Sequence, residues 1–376
     1  MPIILAFALV PAVLAALDSA VRAALVLRSR SASRAFRGAF RGEHPRRWLI
    51  IIPSRAEGAR LRATLESVTS AARAPEATTL LLLDGDDAEA AAAGRALGVE
   101  VHVKTPAGPT KAAALAWLAR EHQAVIEAAD AILVIDAGST IAPDFFDRFL
   151  WPEDADAVQA YLSGVADANA GAGAAMSERF AQAQEDRGRE AFGWNVRLRG
   201  TGSAFRPRTF IDVIPRLATR IEDHEASILL TAAGATIRLA PPDAVVFDEK
   251  PASVRAAASQ RARWLLGRYE LLARRSGAFV TIAARRPAEG LAAIVEIFGR
   301  PLSLTIPLRL ITGAFAIRSG SVVLGSLVAG STAIDIVSHL TTARGVPRGA
   351  ASVAASWLLA LILAPRALTR WLRTER

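Results

Sequence analysis

Five short runs carry residue types that suit group-transfer chemistry. Ile221-Glu222-Asp223-His224-Glu225 holds carboxylates able to take a proton from an acceptor hydroxyl. The same run also reads as the acidic first turn of a helix, which the helix dipole favours, and His224 is an alternative base. Asp136-Ala137-Gly138-Ser139-Thr140 follows an apolar run, and an Asp there can hold Mg²⁺ or Mn²⁺ against phosphate oxygens. Asp84-Gly85-Asp86-Asp87 ends another apolar run. A carboxylate at that place accepts hydrogen bonds from a nucleobase or ribose, or caps a helix. Gly108-Pro109-Thr110-Lys111 opens a helical stretch whose N-terminus, with one Lys, suits a diphosphate. Lys104, Lys111 and Lys250 are the only lysines of the chain, so Lys111 stands out from an Arg-dominated surface. Last, Gln260, Arg263 and Trp264 lie at relative positions 0, 3 and 4. Those positions share one helix face. Val254, Ala258, Ala262, Leu265, Tyr269, Leu272 and Ala273 form an apolar stripe nearly opposite.

Other chemistries find no footing. The 376 residues contain no Cys, which excludes disulfides and thiolate metal sites. His44, His102, His122, His224 and His339 show no zinc-ligand spacing. There is no G-x-S-x-G nucleophile elbow and no P-loop. The formal charge is +9, but the Arg residues gather beside hydrophobic stretches. That fits anionic lipid headgroups better than nucleic acid, and no nucleic-acid partner is expected.

The elements that must position these residues follow from hydrophobic patterning. Residues 3–27 are apolar and long enough to span a bilayer, with Asp18 and Arg22 spaced to pair. Seven Arg residues follow between 28 and 47. By the positive-inside rule they place the next domain in the cytoplasm, at the cell membrane. Apolar runs at 48–53, 78–84 and 131–136 read as buried parallel strands, and 57–73, 88–97 and 110–122 as helices. This alternation predicts an α/β domain with a mostly parallel sheet flanked by helices. Ligand sites in such sheets lie at the strand ends, here Ser54, Asp84 and Asp136. Residues 163–200 read as helix and loop. Further spans are expected near 301–318, 320–340 and 350–365, before a basic tail. The expected divisions are 1–28 transmembrane, 29–47 basic linker, 48–250 cytoplasmic domain, 251–278 amphipathic interfacial helix, and 285–376 transmembrane or interfacial helices.

In this order the motifs resemble a membrane-associated family 2 glycosyltransferase with a GT-A fold, over residues 48–275. Pro53-Ser54-Arg55-Ala56-Glu57 is similar to the family's P-x-x-N-E, with Ala56 where Asn is usual. Leu81 to Asp87 resembles the base-binding strand and turn. Lys111 and its Ala-rich helix resemble G-K-x-x-A-L-N, and Asp136-Ala137-Gly138 occupies the D-x-D position. Gly200-Thr201-Gly202 with Ala204-Phe205-Arg206 resembles the acceptor-side segment. Glu222-Asp223 matches E-D, and Gln260 to Trp264 is a full Q-x-x-R-W. The resemblance implies an inverting hexosyltransferase using a nucleotide-sugar, with UDP the expected nucleotide, and a lipid or saccharide acceptor at the cytoplasmic membrane face. Asp223 would be the base. Pro53, Glu57, Asp84, Lys111, Asp136 and Arg263 would serve the donor. Gly200, Thr201, Gly202, Glu222, Gln260 and Trp264 would serve the acceptor. Asp136 would hold Mg²⁺ or Mn²⁺, although Gly138 replaces the second carboxylate. A processive exopolysaccharide synthase, similar to cellulose, hyaluronan or poly-N-acetylglucosamine synthases, is the alternative, and with so few spans it would need an accessory membrane subunit. Ceramide glucosyltransferases carry the same Q-x-x-R-W and favour the lipid reading. An inactive nucleotide-sugar-binding membrane subunit is a third reading, supported by Gly138 and Ala56.

Overall fold

The computed structural model describes residues 2–32, 41–72, 76–165, 175, 177–250, 254–299, 302–318 and 320–343. The chain divides into two compact units. Residues 34–165 and 193–249 make an α/β unit, and a helical unit is drawn from 1–33, 166–192 and 250–376. The segment 166–192 thus lies within the span read as one cytoplasmic domain but clusters with the helical unit.

The α/β unit contains β1 (Arg47–Ser54), β2 (Glu76–Asp84), β3 (Glu100–Lys104), β4 (Ala131–Val134), β5 (Ser139–Ile141), β6 (Ala157–Gln159), β7 (Tyr161–Val165), β8 (Ser203–Phe205), β9 (Ile237–Leu239) and β10 (Val245–Glu249). Seven strands form one sheet in the order β3-β2-β1-β4-β8-β6-β9, and β5-β10-β7 form a second. The β1, β2, β3 and β4 pairings are parallel, while β8 runs antiparallel to both of its neighbours. The mostly parallel sheet expected from the apolar runs is therefore present. Strands β1, β2 and β4 fall on the three predicted runs because each is buried on both faces, which selects continuous apolar sequence. Ile50, Ile51 and Ile52 are fully buried. Each such side chain contributes about 1.5–3 kcal/mol relative to exposure.

Chain order reverses at β1, with β2 on one side and β4 on the other. Such a switch point opens a crevice at the carboxyl ends of the strands. Pro53 is accommodated at that end of β1. Ile51 bonds to the β4 side through the Ile135 amide, so by the alternation of a ladder Pro53 faces the same side, past the end of β4.

The helical unit contains Pro2–Ala32, a π-helix at Ala181–Asp186 running into Arg187–Ala191, and the helices Val254–Arg285, Pro287–Gly299, Leu302–Arg318 and Val322–Ala343. Among the described residues no helix is long and apolar enough to cross a membrane, so the expected transmembrane spans at 1–28, 301–318 and 320–340 receive no support. The 350–365 span lies outside the described residues. The helical unit holds a network of buried charge. Arg22 donates to Asp18, to Glu185 (3.0 Å) and to Asp335, while Arg309 donates to Asp335 (2.5 Å) and to Ser19 Oγ (3.1 Å). All of these side chains are buried. Buried charges persist where they pair with one another. The long helix Val254–Arg285 breaks at Arg275 (φ −121°, ψ 24°). Its buried residues include Leu271, Phe279 and Ile282, whereas Tyr269 of the predicted stripe is exposed.

Candidate active site

Each candidate group is placed by a local feature of the α/β unit. Asp84 closes β2 and is buried. Its Oδ1 accepts the Gly108 amide at 2.6 Å, and Lys104 (3.5 Å) and Arg55 (3.7 Å) stand nearby. Arg55 also donates to the Gly108 carbonyl at 2.8 Å. The ends of β1 and β2 are thereby tied to the loop that leads into Lys111. The helix Lys111–Glu121 starts there because Thr110 caps it, its side chain accepting the Ala113 amide. Asp136 lies two residues beyond β4, and its amide donates to Thr201 Oγ1. Glu222 and Asp223 occupy the first turn of the helix Glu222–Ala233, where the dipole favours carboxylates. The His224 amide donates to Asp223 Oδ1 at 2.8 Å.

These segments converge on one cation. Lys111 Nζ lies 2.9 Å from Asp136 Oδ1 and 2.8 Å from Glu222 Oε1. Burial alone would push the ammonium down, but Asp136 and Glu222 outweigh it and hold its pKa above the ordinary lysine value. Asp223 completes the group. Burial pushes its carboxyl up, yet the hydrogen bond and charge of His224 and the charge of Lys111 bring it down to about 2. Gly200 stands at the centre. A Cβ there would lie 3.5 Å from Asp136 Oδ2, 3.6 Å from Lys111 Nζ and 3.7 Å from Asp223 Oδ2. Its φ of +80° also belongs to the left-handed region. A side chain at 200 would fill the space that Asp136, Lys111 and Asp223 enclose.

The arrangement fits a divalent ion only through Asp136. Among the described residues no three His, Asp or Glu side chains gather as a metal-ligand set. Gly138 offers no carboxylate, and a Cβ on it would face Arg60 (3.7 Å to Cδ) and Glu249 (3.9 Å to Oε2), which are themselves an ion pair. One protein carboxylate suffices for Mg²⁺ when phosphate oxygens and water supply the other ligands.

A family model described as "Glycosyltransferase like family 2" matches residues 45–267, more than half of the chain. The chain belongs to this family. It is a glycosyltransferase. No curated protein matches the chain in sequence. Among solved structures, the mannosyltransferase PcManGT from Pyrobaculum calidifontis, in complex with GDP-Man and Mn²⁺, is similar in fold. It is 16% identical, with 94% of this chain and 98% of that chain covered and a TM-score of 0.54. A glucosyl-3-phosphoglycerate synthase from Mycobacterium tuberculosis with Mn²⁺, UDP and glucosyl-3-phosphoglycerate is 14% identical, covering 58% and 79%, at a TM-score of 0.37. Residues 1–349 of S. aureus TarS are 13% identical, covering 79% and 90%, at 0.39.

Within this glycosyltransferase the predicted residues take different places. Asp84, Lys111, Asp136, Gly200, Glu222 and Asp223 belong to the linked set of contacts just described. Thr201 and Gly202 support that set from below. Thr201 is buried with its hydroxyl on the Asp136 amide, and the Gly202 amide donates to the Val134 carbonyl. Pro53 is buried in β1, and Glu57 is half-buried in the turn that follows. Gln260, Arg263 and Trp264 lie on the long helix of the other unit, Gln260 half-buried and the other two exposed. One residue, Gln159, had no place in the sequence-based expectations, and another, Ser54, was expected only as a strand end. Gln159 on β6 is fully buried, donates to the Ala160 and Thr201 carbonyls, and accepts from the Arg199 amide and Ser203 hydroxyl. It fixes the loop that carries Gly200, and its only signal was a lone amide in an apolar strand. Ser54 Oγ is buried at the tip of β1 without a hydrogen-bond partner among the described residues. An unmatched buried hydroxyl costs about 1–3 kcal/mol, and its signal was the strand end itself.

Proposed function

We propose that this glycosyltransferase moves a sugar, with inversion, from a nucleoside-diphosphate sugar to a hydroxyl of a lipid or saccharide acceptor, and that it meets the acceptor at a membrane face. UDP is the expected nucleotide. The observation that carries the reading is the convergence of Lys111, Asp136, Glu222 and Asp223 around Gly200. The ionised Asp223 takes the acceptor hydroxyl's proton. The acceptor oxygen then bonds to the anomeric carbon as that carbon's bond to the diphosphate breaks, and the nucleoside diphosphate leaves. Lys111 opens a helix N-terminus and meets negative charge on the diphosphate. Ser54 and the Asp84 cluster lie at the ends of adjacent strands, where base and ribose are read in such folds. A Mg²⁺ or Mn²⁺ ion, when bound, would be held by Asp136 and the donor's phosphate oxygens, and supplies positive charge at the leaving group.

The membrane part of the proposal is supported by apolar exposure in the helical unit. Leu310, Ile311, Ile317, Val322 and Val323 are between 58% and 79% exposed. Exposed apolar residues close together in one segment favour an apolar partner such as a bilayer.

The test is turnover of a panel of UDP- and GDP-sugars by the full chain in membranes, with product analysis. A monoglycosylated acceptor is expected. A polymer would overturn the single-transfer reading, and no turnover of any sugar would overturn the transferase reading. Because Asp136 is the single carboxylate at the D-x-D position, Mn²⁺ should bind weakly without nucleotide and far more tightly with the nucleoside diphosphate present. Electron paramagnetic resonance of free Mn²⁺ measures this, and equal binding in both cases would contradict it.

A further inference from the structure

A small cavity of about 30 Å³ lies beside the reacting groups, within the α/β unit. Leu115, Val134, Leu198, Phe205 and Ile214 wall it, with Leu217 half-buried among them. Lys111, Glu222 and Asp223 also line it, so the cavity adjoins the carboxylate that receives the proton. The volume exceeds the roughly 10–15 Å³ that a single water requires, but a buried water also needs two to four polar partners. Most of the walls are aliphatic or aromatic. The polar neighbours already hold partners, Lys111 with Asp136 and Glu222, Asp223 with His224, and the Ser203 hydroxyl with Gln159. An apolar space of this size leaves its lining without dispersion partners. An apolar group that enters with the substrate restores them.

We propose that this cavity is a specificity pocket for a methyl-sized apolar substituent carried by one of the two substrates. The proposal rests on the transferase reading. Its chemistry has two sources: the acetamido methyl of a donor sugar, or an alkyl group next to the reacting hydroxyl of the acceptor. The polar groups then hold the reacting part of the substrate while the pocket reads its apolar part. One methylene more or less in a hydrophobic pocket changes kcat/KM by about 10- to 200-fold.

The experiment measures kcat/KM of the full chain on matched pairs. In the donor arm the acceptor is fixed, and UDP-GlcNAc and UDP-GalNAc are each compared with the N-formyl analogue that lacks only the methyl. In the acceptor arm the donor is fixed, and O-methylated acceptors are compared with their unmethylated forms. One arm should show at least about tenfold preference for the methyl-bearing partner. Leu217→Phe, which fills the pocket from its half-buried edge, should bring that ratio close to one. Should Leu217→Phe fail to fold, Leu217→Ala enlarges the pocket and should shift preference toward an ethyl-sized substituent. Turnover with both ratios within twofold, or ratios that neither variant moves, overturns the pocket and leaves the transferase standing. No turnover of any sugar overturns both.

Discussion

At the residue scale, Asp223 carries the sharpest expectation. Its folded-state pKa of about 2 lies below the ordinary 3.8. It therefore adds stability that is fully present above 3.8 and is lost as pH falls through about 2. The proposed base is ionised across the whole neutral range, so it should contribute no ionisation to the kcat/KM profile between about pH 4 and pH 8. Asp223→Asn should lower kcat by at least about a hundredfold while nucleotide binding, followed by calorimetry, stays within a few-fold. Near-normal turnover would remove Asp223 as the base. His224→Ala removes the foremost group that lowers the Asp223 pKa, and the acid limb should move upward. Ala56 has a different lesson. Its φ is +55°, a conformation that costs a residue with a Cβ about 1–2 kcal/mol and that Asn tolerates better. The family's usual Asn is absent from a position that needs one for backbone reasons. Ala56→Asn should raise stability by a few tenths to about 1 kcal/mol in denaturant melts.

At the element scale, legibility followed length and burial. Residues 48–53 of β1 and 80–83 of β2 announce themselves because both faces are covered there and the sequence is continuously apolar. Strands β6, β8 and β9 have three residues each, too few to display a period of two, and they pair through tertiary context. Gln260, Arg263 and Trp264 were readable by their spacing along a helix, while within the α/β unit the motif residues were readable because most sit where a strand or helix begins or ends. The geometry joining them was not, since it depends on Gln159, which bonds a loop 40 residues away. All four hydrogen-bonding capacities of that amide are used. Gln159→Leu should cost about 1–3 kcal/mol by leaving the loop amides and carbonyls unpaired, and should reduce turnover further than stability alone accounts for. Retained activity with retained stability would show that the loop holds Gly200 without it. Gly138 was legible as a departure at once, but its surroundings were not. Only the structure places Arg60 and Glu249 where its side chain would point.

At the scale of the whole molecule, the helical unit is organised around buried charge rather than uniform apolarity. Asp18 and Arg22 were visible as an i,i+4 pair, whereas their distant partners Glu185 and Asp335 had no local signature. Arg22→Met should destabilise the helical unit by roughly 3–5 kcal/mol, because it leaves buried carboxylates uncompensated. Thermal melts should record the loss, and an unchanged melting temperature would show that the pairs are energetically idle. The same network has a consequence in time. Arg22 leaves the ribosome 313 residues before Asp335. At about 5–20 residues per second that is a wait of roughly 15–60 s. The helix Pro2–Ala32 is made long before it can find all its partners, and until then its guanidinium and apolar side chains stand open to chaperones, proteases or a lipid surface.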